Sequence, residues 1–168
     1  MSERTDGGRA DLTVDGGWRQ IRVELAAAGW LIRGGVAGRD ALWVRAGAEP
    51  AEPAEHSAPA AGFLADSPGF LVAVARSLRL TPGADAVVPL VRLSGPALAP
   101  LTVTQRWLLA EITTYDTELA PLPVERYEVT DLATGEPFAV HLAGDVVLDA
   151  PGVELTDLDR PPTLRPSD

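Results

Sequence analysis

The chain of 168 residues contains no cysteine, no lysine and two histidines. The absence of cysteine excludes disulfides, thiolate metal sites and a cysteine nucleophile, and it leaves the redox compartment open. The two histidines, His56 and His141, are widely separated and show no HxH or HxxxH spacing, so no transition-metal site is expected. No glycine-rich stretch has the spacing of a phosphate-binding loop. We therefore expect neither a metal nor another cofactor.

Positive charge is also scarce. The formal net charge is −10, and all 14 basic residues are arginines, which together with abundant alanine, glycine and proline is typical of a GC-rich bacterial genome. Such an acidic chain repels nucleic-acid phosphates and anionic lipid surfaces, so no nucleic-acid partner is expected. No apolar run approaches the roughly 18 residues of a membrane span, and residues 1–6 are polar, without an apolar signal-peptide core. These features predict a cytoplasmic protein.

The length predicts one domain, over residues 1–160. Period-2 alternation of apolar residues, bounded by glycine and proline turns, predicts a series of strands. In the first of them, Ile21, Val23 and Leu25 share the predicted buried face. The predicted strands are 18–25, 30–33, 42–45, 86–93, 101–113, 124–130, 136–142 and 146–148.

Other segments are predicted to lie outside strands. Residues 34–40 are glycine-rich and predict a loop between two strands of a hairpin. Residues 47–62 are rich in proline, alanine and glutamate, which predicts a flexible loop, and residues 161–168 predict a disordered tail. Ser67 followed by proline fits a helix N-terminus, and apolar residues at helical spacing predict one short helix over Pro68–Leu78.

Tight connections between the later strands predict an antiparallel meander. Four tryptophans, two tyrosines and three phenylalanines lie mostly in or beside strands, which favours a strongly curved antiparallel sheet, a spiral β-roll or half-barrel, closing on an apolar interior. Gln105 shares the apolar face of its strand with Val103 and Trp107. A buried, unpaired amide costs about 1–3 kcal/mol, so Gln105 needs a partner. That partner is a backbone carbonyl or trapped water, or else a ligand in a cavity.

The order of several short segments resembles a known family. The segments are Asp15-Gly16-Gly17-Trp18-Arg19, Trp43, Asp66-Ser67-Pro68-Gly69-Phe70, Ala75-Arg76-Ser77-Leu78-Arg79-Leu80, Thr81-Pro82-Gly83, Gln105-Arg106-Trp107, Arg126-Tyr127 and Asp145-Val146-Val147-Leu148-Asp149-Ala150-Pro151-Gly152. Together they resemble the glycolipid-binding family, a spiral β-roll similar in shape to bacterial lipoprotein carriers, over about residues 11–157. The chain departs from the family pattern at Gly69, Trp107 and Ala150.

The resemblance implies non-catalytic binding of a hydrophobic or amphipathic small molecule, lipid-like or glycolipid-like, in the cavity of the β-roll. Burial of an acyl chain there would contribute about 25 cal/mol per Å² of apolar surface. The predicted helix would then plug or cover the open end, unless its role is structural. Ordinary core packing is the alternative role of every candidate cavity residue. These candidates are Trp18, Trp30, Trp43, Val103, Gln105, Trp107, Tyr127 and Phe138.

Two other functions compete with ligand binding. A small cavity enzyme, such as an isomerase or cyclase, would need one acid/base pair, for which His141, or Asp116 with Glu118, are the candidates. A protein-interaction module would use the acidic surface, the 47–62 loop or an exposed edge strand at 86–93. The protein is expected to be a monomer or a homodimer.

Overall fold

The computed structural model describes residues 2–5, 8–47, 52–118, 120–155 and 162–164. Within these ranges the protein is mainly β, with two sheets and one helix. The first sheet contains β1 (Ser2–Thr5), β2 (Gly8–Val14), β3 (Gln20–Ala27), β4 (Trp30–Ala37), β5 (Asp40–Ala46) and β6 (Ala54–Pro59). The second part contains β7 (Gly62–Leu64), α1 (Pro68–Leu78), β8 (Asp85–Ser94), β9 (Ala99–Tyr115), β10 (Leu122–Asp131), β11 (Pro137–Ala143), β12 (Val146–Ala150) and β13 (Val153–Glu154).

Each sheet is a curled meander in which neighbours in sequence are neighbours in space. The strand order is β1-β2-β3-β4-β5-β6 in the first sheet and β13-β12-β11-β10-β9-β8-β7 in the second. All pairs are antiparallel except β7 with β8, which are parallel because α1 connects them as a crossover. The result is the strongly curved half-barrel that the sequence predicts, with one parallel pair that the sequence did not indicate.

The helix α1 has the predicted bounds and occupies the inside of the curve. Ser67 is its N-cap with an extended backbone, and Arg79 ends it in the left-handed region at φ 50°. The sequence pattern predicts one apolar face, but the helix is buried continuously from Phe70 to Arg76 apart from Leu71, because it packs against β12, β7 and β2 at once. In the described ranges no helix combines the length and apolar character of a membrane span.

The predicted face of β3 is wrong at its first residues, because the strand contains a bulge. The register with β2 skips Ile21, so Val23 and Leu25 are buried as predicted whereas Ile21 is 50% exposed. The same bulge turns Gln20 inward, where it is 2% exposed. Its Nε2 donates to the Phe63 carbonyl at 3.1 Å, and its Oε1 accepts from the Phe63 backbone N–H at 2.7 Å. The side-chain amide of Gln20 therefore makes the pair of hydrogen bonds that the backbone of a neighbouring strand would make with Phe63, and it joins the first sheet to β7 of the second.

Residues 34–37 belong to β4, although their glycine content predicts a loop. The β4–β5 turn is confined to Gly38 and Arg39. A side chain at Gly34 would meet the backbone of β5 at Leu42 and the Cβ of Trp43, and one at Gly35 would meet the Ile21 carbonyl. These glycines permit close approach of neighbouring chain inside the sheet.

The 47–62 segment also differs from the prediction. Ala54–Pro59 form β6, which pairs antiparallel with β5, so this part of the predicted flexible loop is a strand despite its composition. Residues 48–51 of the predicted loop lie outside the described residues. Near the C-terminal end, residues 156–161 and 165–168 also lie outside them, which leaves most of the predicted tail untested. Of the tail, residues 162–164 are described, and the Thr163 backbone N–H donates to Asp145 at 2.8 Å.

The proposed edge strand at 86–93 is not an edge, because β8 lies between β9 and β7. The parallel partner covers its C-terminal half, from Leu90 to Arg92. One residue before this paired stretch, the Pro89 carbonyl accepts a hydrogen bond from the Ala61 N–H at 2.8 Å. The edge that was expected to mediate association is thus largely occupied within the chain.

A buried ion pair fixes α1 to the second sheet. Arg76 is 3% exposed, and its Nη1 lies 2.5 Å from Glu125 Oε2 in β10. The Arg76 Nε also donates to the Gly144 carbonyl in the β11–β12 turn at 3.0 Å. Tyr127, two residues after Glu125, donates its hydroxyl to the same carboxylate at 2.8 Å. Hydrogen bonds from several directions offset the cost of burying this charge.

Candidate ligand-binding site

A cavity of about 370 Å³ opens between the start of α1 and the concave face of the second sheet. Its apolar lining includes Leu64 of β7, Leu71 of α1 and Phe138 of β11. The β12–β13 turn, with Gly152, closes another side. We call this space the Gln105 cavity after the buried amide in its wall.

Gln105 is 1% exposed and lies on the inward face of β9. Its Oε1 accepts a hydrogen bond from Trp107 Nε1 at 3.1 Å. Within the described part of the chain, no group accepts a hydrogen bond from Gln105 Nε2. Because Gln105 lines the cavity, the NH₂ end of its amide is the end left for whatever the cavity holds.

The second polar wall of the Gln105 cavity is Arg92, on the inward face of β8. Its Nη2 lies 3.3 Å from Asp131 Oδ2. Asp131 is the cross-strand partner of Gln105, and its other oxygen accepts from the Ala133 backbone N–H at 2.9 Å. The turn after β10 therefore fixes the Asp131 carboxylate through the Ala133 N–H. The Asp131 carboxylate in turn fixes the Arg92 side chain beside Gln105.

Trp107 and Tyr127 form a packed layer beside Gln105, on the same inward face of the sheet. Both are at most 2% exposed, and their rings meet edge to face with centroids 5.9 Å apart. Through the Tyr127 hydroxyl and Glu125 this layer reaches Arg76 of α1. The position of Gln105 is thus set by rigid neighbours.

Of the eight candidate cavity residues, the structure brings Gln105 and Phe138 together in this cavity. Val103 is buried in the core. Trp107 and Tyr127 lie beside Gln105, as described above.

The remaining three candidates are tryptophans distributed over the first sheet and its turns. Trp18 is half-buried in the β2–β3 turn with φ 64°. Trp30 packs under Arg45, whose guanidinium carbon lies 3.6 Å from the ring centroid. Trp43 stacks on His56 at 5.4 Å. These rings do not line the Gln105 cavity.

A second cavity, of about 580 Å³, lies on the other side of the β7–α1 connection. It is lined by residues of β2 and β3 and by the β8–β9 turn, including Leu25 and Leu98. The connection, residues 65–67, lines both cavities. Asp66 and Ser67 thus form a shared wall between them.

The candidate acid/base residues lie outside the Gln105 cavity. His141 is on the outward face of β11, and its Nδ1 is 3.4 Å from Asp149 Oδ2. Asp116 and Glu118 are exposed in the loop after β9. No cluster of histidine and carboxylate residues in the described ranges has the arrangement of a metal site.

The perturbed carboxylates and guanidinium groups are also at the surface. A side-chain hydrogen bond from Arg106 lowers the pKa of Asp85, and the Asp85 contact raises the pKa of Arg106. Hydrogen bonds to Glu111 and Glu128 raise the pKa of Arg126. These exposed pairs lie on the outer strand faces, away from the cavity, and exposed ion pairs of this kind add little to the free energy of folding.

Sequence reasoning missed Arg92, although a usable signal was present. Arg92 follows Val88 and Leu90 at strand spacing, so it is a polar residue on an otherwise apolar face, as Gln105 is. The segments that carry the family resemblance also converge here: 66–70, 105–107 and 145–152 each contribute to the lining of the Gln105 cavity.

Comparison with known proteins identifies the fold. No protein-family profile matches the chain, and no curated protein sequence matches it. Among solved structures, the chain is similar to a crystal structure of a DUF1089 family protein from Pseudomonas aeruginosa. The identity is 14% and the TM-score 0.51, over 90% of this chain and 88% of that chain. At this identity the likeness establishes a shared half-barrel architecture and carries no statement about function.

Proposed function

We propose that the protein binds a hydrophobic or amphipathic small molecule in the Gln105 cavity without catalysing a reaction. The observation that carries this proposal is Gln105 itself: a 1% exposed side chain that lines an apolar cavity and whose NH₂ group has no acceptor in the described part of the chain. Because Gln105 lines the cavity, an acceptor for this NH₂ group has to come from inside the cavity, either from water or from a ligand.

The size and lining of the cavity suit one small group or one chain. Its volume of about 370 Å³ lies at the low end of the roughly 300–1,000 Å³ typical of ligand pockets. Mostly apolar walls with a few convergent polar groups are the usual composition of such pockets. A lipid or glycolipid, the ligand class that the sequence resemblance implies, would place part of one chain here and leave its bulk outside.

Geometry favours a binder over an enzyme. An enzyme with one acid/base pair would need that pair within hydrogen-bonding reach of a bound substrate. His141, Asp116 and Glu118 all lie outside the lining of the cavity. Asp66, in the β7–α1 connection, is a carboxylate that does line the cavity, but the described lining places no histidine or second carboxylate with it.

The test is native mass spectrometry of the freshly purified protein, followed by organic extraction of whatever is bound. A cavity-filling substitution, Leu71→Trp, should abolish binding, because Leu71 lines the cavity. Leu78→Trp is the matched control, since Leu78 is also half-buried on α1 but does not line the cavity. We expect a stoichiometric amphiphile on the wild type and on Leu78→Trp. A wild-type protein that carries no small molecule, and that no lipid panel shifts, would contradict the proposal.

A protein-interaction surface is the second candidate function. The strand β8 begins opposite Leu108, in the middle of β9. The rest of β9 pairs with the start of β10 beyond the N-terminal end of β8, so this part of the β9–β10 hairpin projects from the sheet. It exposes Ile112 at 44% and Tyr115 at 56%. Sedimentation of the wild type and of Ile112→Ser over a concentration series would test self-association through this hairpin.

A further inference from the structure

We infer that the ligand of the Gln105 cavity is a neutral acyl compound, an ester or amide, whose carbonyl oxygen accepts a hydrogen bond from Gln105 Nε2. This inference rests on the function proposed above and adds the chemical class of the ligand. It follows from which end of the Gln105 amide faces the cavity, from the charges beside it, and from the apolar remainder of the lining.

Trp107 decides the orientation of the Gln105 amide. An indole N–H is a donor and has no acceptor lone pair, so the group that meets it must be an acceptor. The Gln105 Oε1 fills this role at 3.1 Å. With the amide reversed, the NH₂ group would face the indole N–H and leave two buried donors opposed. Trp107 is therefore a positioning residue, and the cavity receives a donor.

Arg92 adds further donors to the same wall. A guanidinium carries five N–H groups, and the Arg92 contact with Asp131 uses one nitrogen, Nη2. Since Asp131 is the cross-strand partner of Gln105, the Arg92 side chain is held close to the amide. A ligand oxygen at this wall therefore meets donors from two side chains.

The charges around the cavity favour a neutral acyl group over a free carboxylate. The Arg92 charge is offset by Asp131 at 3.3 Å, and Asp66 adds a second negative charge to the lining. A carboxylate ligand would have to compete with Asp131 for Arg92, and the exposed Asp66 supplies it with no counterion. A neutral carbonyl accepts from Gln105 without that competition. The chain attached to that carbonyl then packs on Leu71 and Phe138.

The test compares three straight-chain probes that differ in the polar group, methyl octanoate, octanoate and octylammonium, with a fourth, ethylbenzene, that is apolar and has no polar group. Binding is followed in ¹H–¹⁵N spectra of the labelled full chain, where the Gln105 side-chain amide is assigned by its loss in Gln105→Leu. We expect methyl octanoate to bind tightest and to shift the Gln105 NH₂ resonances. The substitution should weaken methyl octanoate about tenfold, which corresponds to about 1.4 kcal/mol, and leave ethylbenzene unchanged.

Two further variants test the orientation argument separately from stability. Gln105→Glu keeps an acceptor for Trp107 and turns a carboxylate oxygen to the cavity, so it should prefer octylammonium to methyl octanoate. Trp107→Phe removes the donor that orients the amide, so the preference for methyl octanoate over octylammonium should fall while ethylbenzene still binds. Circular dichroism melts confirm that each variant is folded before its binding is compared, and the ranking of the four probes on the wild type tests the inference without any variant.

The outcomes separate the two proposals. If the four probes bind the wild type equally, or octanoate or octylammonium binds tightest, the acyl inference is overturned while ligand binding stands. If no probe and no extracted lipid binds the wild type at any concentration, the proposed function fails and the acyl inference fails with it.

Discussion

Replacement of Gln20 by alanine should open the seam between the two sheets. The Phe63 backbone N–H and carbonyl both point toward Gln20, because alternate residues of a strand direct these groups to opposite sides and β8 occupies the other side of β7. Gln20→Ala leaves both groups unpaired in a buried position. Each unpaired group costs about 1–3 kcal/mol, so the expected loss is about 2–4 kcal/mol after partial access of water.

The assay is urea unfolding at 25 °C with the free energy obtained by linear extrapolation. Arg22→Ala is the control, since Arg22 lies two residues away on the exposed side of β3 and its pairing with Glu24 is a surface contact. That control should change the free energy of unfolding by less than about 1 kcal/mol. Hydrogen exchange at the Phe63 amide should accelerate in Gln20→Ala well beyond its change in the control. A Gln20→Ala protein within about 0.5 kcal/mol of the wild type, with Phe63 still protected, would refute the reasoning.

Three further predictions concern α1, β4 and the β2–β3 turn. Arg76→Ala removes the guanidinium that pairs with the half-buried Glu125 carboxylate and leaves that carboxylate with the Tyr127 hydroxyl, so it should lower the free energy of unfolding by about 1.5–3 kcal/mol in the same urea assay; an effect below about 1 kcal/mol would contradict the role given to the pair. Gly34→Ala introduces a methyl group against the backbone of β5 and should cost about 1–3 kcal/mol, seen as a lower melting temperature by calorimetry. The backbone N–H of Arg19 lowers the pKa of Asp15 below its ordinary 3.8, so ionised Asp15 stabilises the fold above about pH 4 and that contribution is lost as pH falls through the lowered pKa. Asp15→Asn should therefore be less stable than the wild type at pH 6, and the difference should shrink toward pH 3; a difference independent of pH would show that the charge is not responsible.

Much of the second sheet is predictable from the sequence because its strands follow the alternation rule and its turns carry glycine at the required positions. The helix bounds follow from Ser67 and Pro68 for the same local reason. The first sheet is less predictable. The bulge at Ile21 changes the inward face of β3 at Gln20 and Ile21, and the composition of 54–59 gives no sign of the pairing with β5 that makes it a strand. The partner of Gln20, Phe63, lies 43 positions later in the chain, and β6 is a strand through its pairing with β5, so neither feature follows from the local sequence pattern.

The candidate site also contains residues that the local sequence pattern identifies and residues that it does not. Gln105 is identifiable from the sequence because a polar residue on an apolar strand face needs an explanation, and Arg92 obeys the same rule. The other lining residues are not identifiable this way, since residues 65–67 and the β12–β13 turn come to the same cavity only through the curl of the chain. Large aromatic residues misdirect the search: Trp18, Trp30 and Trp43 are prominent in the sequence and lie away from the cavity.

The anchoring of α1 also sets an order of events during synthesis. Arg76 finds its carboxylate 49 positions later in the chain and its carbonyl partner at Gly144, 68 positions later. In a nascent chain that has not yet released these residues from the ribosome, Arg76 in the last turn of α1 lacks the contacts with Glu125 and Gly144 that fix the helix to the second sheet. The helix α1 therefore cannot reach its final packing until the chain has been made as far as Gly144, and long-range closure of this kind folds slowly.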